Sequence, residues 1–103
     1  MENSTSNFKS NYIGKEGKST ENFELIQSFK IDPDKDKSLV ALSLNFIPQQ
    51  DCTVEINGSD PIPFKAGREF VMDTGRNMIH KPIDRFQIVE ADIDYWCMGV
   101  LKD

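Results

Sequence analysis

Between Gln50 and Asp73 the chain reads QDCTVEINGSDPIPFKAGREFVMD, and this stretch limits the possible fold more than any other. Cys52, Val54 and Ile56 alternate with Thr53, Glu55 and Asn57, the period of a strand with one buried face. Asn57-Gly58 opens a turn cluster that continues through Ser59, Asp60 and Pro61. Ile62 and Phe64 then alternate with Pro63 and Lys65, giving a second short strand, and after the break at Ala66-Gly67 the run Phe70-Val71-Met72 reads as a third. Strands this close, joined by glycine turns, leave no room for crossover helices. The expectation is an all-β, antiparallel fold.

At 103 residues the chain supports one domain with a modest core. The formal net charge of −5, with Lys and Arg scattered singly, argues against a general electrostatic grip on nucleic acid, which needs a basic footprint. No apolar stretch approaches the roughly 18 residues needed to cross a membrane. MENSTSNFKS at the start lacks the apolar segment of a secretory signal. Cys52 and Cys97 both fall inside expected strands and read as free, buried thiols in a reducing cytoplasm.

Residues 1–22 are dominated by Ser, Asn, Thr, Lys, Glu and Gly, with Phe8, Tyr12 and Ile13 as the main apolar groups. Such a composition does not offset its own ordering entropy. It is expected to be a polar N-terminal arm, disordered alone or bound to a partner, ahead of a sandwich domain over residues 23–103. From Phe23, the residues Phe23, Leu25, Phe29 and Ile31 share a face, interrupted by Gln27; Phe23-Ile26-Phe29 also fits a helix. A strand is preferred because Leu39 to Phe46 pairs with it so readily, with Val40, Leu42, Leu44 and Phe46 inward and the loop DPDKDKS between. Thr74-Gly75-Arg76-Asn77 reads as a turn, and Pro82 limits the Met78-Ile79 piece to an edge or loop. At the C-terminus Phe86 and Ile88 share one face, and Ile93, Tyr95 and Cys97 share one of opposite parity. A bulge or tight bend is therefore expected between Val89 and Asp92. Seven or eight short strands spaced about 8 to 12 residues apart predict an antiparallel β-sandwich or small jelly-roll-like barrel.

Candidate chemistry is sparse. Asp32, Asp34 and Asp36 open like a calcium loop, but Lys37 stands where that loop needs Gly and Ser43 where it needs Glu. A solvated loop fits better, and no metal or cofactor site is expected. Glu90, Asp92 and Asp94 would share one face of a continuous strand, but the expected bend scatters them, and charges on an edge discourage unwanted pairing. His80, the sole histidine, has no nucleophile to serve if both thiols point into the core. No catalytic residues are assigned, and the chain is read as non-enzymatic. Tyr95-Trp96 presents one ring to each face of a strand; with Tyr95 inside, Trp96 marks a protein interface or a sugar-stacking platform.

Two segments taken together, CTVEINGSDPIPFKAGREFVMD and IDRFQIVEADIDYWCMGVL, carry a strand ending in INGxxPI, an AGxxF step, and F-x-I-V-E before an aromatic final strand. This pattern resembles small β-sandwich virion proteins of tailed phages, those infecting Gram-positive bacteria above all. It covers about half the chain and consists of turns and strands without chemistry. Where the pattern often has Gly after the E-x step, this chain has Asp92. The resemblance implies a structural building block of a head, connector, tail or baseplate, made in the host cytoplasm and carried in the virion. Its implied partners are other virion proteins and further copies of itself, with no nucleic acid or membrane. Phe8, Tyr12, Ile13 and Trp96 are the expected partner contacts. The alternative expectation is a carbohydrate- or ligand-binding jelly-roll module built on Trp96 and its neighbouring acids.

Overall fold

Strands form where apolar and polar residues alternate, and the computed structural model describes them over residues 11–30, 38–73 and 82–102. In chain order they are β1 (Asn11–Lys18), β2 (Phe23–Glu24), β3 (Val40–Pro48), β4 (Cys52–Ile56), β5 (Ile62–Phe64), β6 (Phe70–Asp73), β7 (Phe86–Ile88) and β8 (Asp94–Lys102). A 3-10 turn, Gln27–Phe29, follows β2. The strands make two antiparallel sheets, ordered β1-β8-β3-β6 and β2-β7-β4-β5.

That order has a simple origin. The pairs β1·β8, β2·β7, β3·β6 and β4·β5 are those of one long hairpin doubled back at the β4–β5 turn. Wrapping the hairpin on itself adds β3·β8 and β4·β7 and closes the two sheets. Eight strands wound in this way are a jelly roll, as the sequence pattern anticipates. Between the sheets Phe46 meets Phe86 at 4.8 Å, Tyr95 at 5.6 Å and Phe64 at 5.9 Å between ring centroids. Leu25, Leu44, Val54, Ile88 and Leu101 complete a core from which water is excluded.

Several expectations are corrected. The second half of the expected arm is part of the sandwich: Asn11–Lys18 pairs along its whole length with β8. An edge strand draws its stability from backbone hydrogen bonds and so needs few apolar side chains. Here Ile13 packs on the core, and Lys15 lays its ammonium over the Phe29 ring at 4.6 Å. Residues 1–10 lie outside the described residues. The expected hairpin of the Phe23 segment with β3 does not form. β2 is two residues long and joins the other sheet, and the chain then turns through the 3-10 segment, burying Leu25 and Ile26 side by side. The Gln27 amide holds this turn, donating to Leu39 O at 2.9 Å and Asp84 O at 2.8 Å while accepting from Leu39 N at 3.0 Å. The Asp32–Lys37 part of the loop, the Thr74–Asn77 turn and Met78-Ile79 fall outside the described residues.

In β3 the expected inward set Val40, Leu42, Leu44, Phe46 fails at its first two members. The register slips between Ala41 and Ser43, so Ala41 is buried with Leu44 and Phe46 while Leu42 is only half-buried. This bulge brings the Ser43 carbonyl against Gly99 of β8, leaving no room for a Cβ there. The bend expected after Val89 is present, and Asp92 turns it at φ 63°, the left-handed region that glycine favours. Ser19, itself buried, fastens that bend: its hydroxyl donates to Glu90 O at 2.7 Å and accepts from Ile93 N at 3.0 Å.

Gly99→Ala is expected to destabilise the fold by about 3 kcal/mol or more, since the obstructing atom is backbone and cannot rotate away. Urea unfolding of parent and variant measures it. A change below about 1 kcal/mol would contradict the close approach of β3 to β8.

Candidate functional site

Alternation along β8 sends Tyr95, Cys97, Gly99 and Leu101 into the core and Asp94, Trp96, Met98, Val100 and Lys102 to the outer face of the first sheet. The pairing register extends this outer set sideways into rows. Trp96 lies between Glu16 and Ile47, Met98 between Gly14 and Asn45, and Val100 between Tyr12 and Ser43. Beyond Asn45, Val71 of β6 continues the middle row. Tyr12 is 84% exposed, Val71 60% and Met98 46%, an unusual amount of apolar surface for neighbouring rows of one sheet.

At the Trp96 end the face opens into a recess of about 620 Å³ lined by Glu16, Gly17, Lys18, Gln49, Asp94, Tyr95 and Trp96. Asp94 is its most fixed charge. Lys18 Nζ lies 3.2 Å from Oδ1, and the Gln50 side chain donates to Oδ2 at 3.3 Å while accepting from Asp94 N at 2.7 Å. The hydrogen bond from Lys18, followed by that from Gln50, holds this carboxyl below its usual range. Gly17 is needed here because a Cβ would lie 2.6 Å from the Tyr95 hydroxyl. Burial pushes that phenol up to about 12, so it stays protonated.

A smaller recess of about 220 Å³, lined by residues that include Asp51, Cys52, Thr53, Lys65 and Glu90, lies against the second sheet. Its thiol is a poor nucleophile: burial, then the charges of Glu90 and Asp51, push Cys52 up to about 11. Burial likewise raises Cys97, and both cysteines are free and buried, as expected. Glu90 is occupied by Thr53, whose N–H and hydroxyl donate to it at 2.7 and 2.8 Å. Desolvation is the largest single influence on Glu90 and acts upward, but these two hydrogen bonds, with one from its own backbone, prevail and hold it low.

Of the expected contact residues, Trp96 and Tyr12 lie on this face, on either side of the Met98 row. Ile13 does not; it turns inward and packs against the core. Phe8 lies outside the described residues, as do Asp32, Asp34, Asp36 and His80. Glu90, Asp92 and Asp94 are scattered by the bend: one bonds the second sheet, one forms the turn and one begins β8. Among the described residues no group of three or more His, Cys, Asp or Glu side chains is placed to hold a metal ion. Met98, Val71 and Val100 were not singled out in the sequence. The signal for Met98 and Val100 was their shared parity with Trp96. Val71 had none, because its place beside Asn45 is a long-range pairing. Comparison with known proteins returns no matching family model, no matching curated protein and no matching solved structure.

On β2 of the second sheet Glu24 accepts from Phe86 N at 2.8 Å and Ile26 N at 3.3 Å through Oε2, while its buried Oε1 has no hydrogen-bond partner among the described residues. Burial raises this carboxyl above its ordinary value, against the lowering pull of those two N–H groups. A raised carboxyl is a penalty carried by the ionised folded state, present at neutral pH and relieved as pH falls through the folded value. Glu24→Gln removes that titration. The stability difference between variant and parent is therefore expected to shift toward the parent as pH falls from 7 toward 4.5. Urea midpoints of both proteins across this window check it, and a difference independent of pH would refute it.

Proposed function

We propose that this chain is a non-enzymatic structural protein of a bacteriophage particle, assembling with virion proteins through the outer face of its first sheet. The observation that carries the reading is the run of exposed Met98 and Val71 in the row beside Trp96 and Tyr12 in the row beyond, on a sheet whose other face already has a complete core. Large apolar groups in neighbouring rows mark association surfaces more often than sites for chemistry. The resemblance of the INGxxPI, AGxxF and F-x-I-V-E steps to tailed-phage virion proteins supports it, and capsid domains are among the uses of the jelly roll. The fold alone assigns no role. Protonated thiols and carboxylates already engaged by Lys18, Gln50 and Thr53 fit a scaffold better than a catalyst. The reading is tested by inducing a culture that encodes the chain, purifying the released particles and quantifying their proteins by mass spectrometry. The chain is expected in fixed ratio to the coat and tail proteins; intact particles lacking it would overturn the reading.

The Trp96 recess favours one other reading, a carbohydrate-binding module. An aromatic ring bordered by Glu16, Gln49 and Asp94 is the chemistry that stacks a sugar and binds its hydroxyls. On a glycan array this reading expects binding that Trp96→Ala abolishes, whereas the assembly reading expects no glycan to be retained.

A further inference from the structure

The outward residues of β8 form a sequence that complements its own reversal, apolar against apolar in the middle and opposite charges at the ends. Asp94 stands at one end, Lys102 at the other, and Trp96, Met98 and Val100 lie between. We infer that this face binds a second copy of itself about a two-fold axis lying between the facing first sheets of the two copies, passing over Met98 of β8 and running across the strands. Such an axis sets β8 antiparallel to β8 of the partner subunit. Met98 then meets its own symmetry mate, Trp96 packs on Val100, and Asp94 approaches Lys102, each contact occurring twice as an isologous interface requires.

The neighbouring strands follow the same exchange. Glu16 shares a row with Trp96 and Tyr12 shares one with Val100, so the axis brings each Tyr12 phenol to a Glu16 carboxylate, to which its O–H donates. Val71, in the Met98 row, faces its own mate. Two like-charge approaches arise. One is Asp73 toward Glu69 at the outer edge, where solvent and salt screen it. The other is the incoming Lys102 toward the Lys18 ammonium 3.2 Å from Asp94, where the carboxylate shared between the two ammonium groups offsets their repulsion. Packed sheets cross at about 30°, which leaves the ends of β8 within reach of a lysine side chain. Strand spacing and length give the face a flat area that buries on the order of 1,000 Å² over both copies, the lower bound for a specific interface. Hydrophobic contact at the centre supplies affinity, and opposite charges at the ends reject the parallel arrangement.

The inference deepens the assembly reading and rests on it, but it is tested separately. Sedimentation equilibrium of the full chain up to about 200 μM is expected to show a dimer, given an interface of this size. Met98→Asp places two carboxylates on the axis and is expected to weaken dimerisation about a hundredfold, with an unchanged circular dichroism spectrum. Lys102→Glu and Asp94→Lys each set like charges together at both ends and are expected to weaken it about tenfold. Mixed in equal amounts, these two variants restore opposite charges across the interface and are expected to recover the dimer. A monomeric parent, a folded Met98→Asp variant that dimerises like the parent, or a mixture no tighter than its components would overturn the inference. A chain that passes these tests yet is missing from purified particles would overturn the virion reading alone.

Discussion

Everything in this structure depends on β8 being bonded along both edges, to β1 on one side and β3 on the other. Because the last strand lies between the first and the third, the fold closes only when the whole chain has been wound. Its contacts are dominated by residues far apart in sequence, and the entropy of bringing them together must be met before any of them forms. In return, a strand paired on both edges has its height and register fixed. Register is decisive here because side chains alternate: a slip of one residue would carry Trp96 and Met98 inward and Tyr95 and Cys97 into water.

Two glycines and a serine guard against that slip. Gly99 lies beneath the Ser43 carbonyl at the β3 bulge, and Gly17 lies beneath the Tyr95 hydroxyl. No other residue of β8 could occupy the first position without a steric clash, and of the other residues of β1 only Gly14, three positions away, lacks the Cβ that would clash at the second. Ser19 then ties the end of β1 to the bend before β8 through bonds from both its backbone and its side chain. A buried hydroxyl with both its donor and acceptor satisfied favours one arrangement, since any shift strands a polar group out of water.

These constraints also explain what could be read from the sequence. Strands β4 to β8 were legible because alternation is a local property, and the opposite parities of Ile88 and Ile93 announced the bend. Tyr95 inward and Trp96 outward followed from the same parity. What stayed hidden was set by distant partners. β1 looked like a disordered arm because its stability comes from β8, far along the chain. The β3 bulge left no mark in composition, and the preference of Phe23–Glu24 for β7 over β3 could not be seen from either segment alone. For the candidate site, Trp96 was legible as an outward ring and Tyr12 as an available aromatic. That the two flank the Met98 row on one face required the register of β1 on β8.

The same register separates the work of the two faces of the first sheet. The inner face is enclosed and fixes stability, whereas Tyr12, Val71 and Met98 contribute little to it because they remain in contact with water after folding. Their apolar area is therefore available to whatever covers them. The charges beside them are fixed differently. Lys18 and Gln50 hold the Asp94 carboxyl below its usual range, and with Glu16 beside it this end of the face carries two carboxylates against the one ammonium of Lys18. An exposed ion pair of this kind adds little to folding. Placed at one end of an apolar strip whose other end carries Lys102, it gives the strip a direction. A purely apolar strip binds in either orientation; one with unlike ends binds a like strip only when the two run antiparallel.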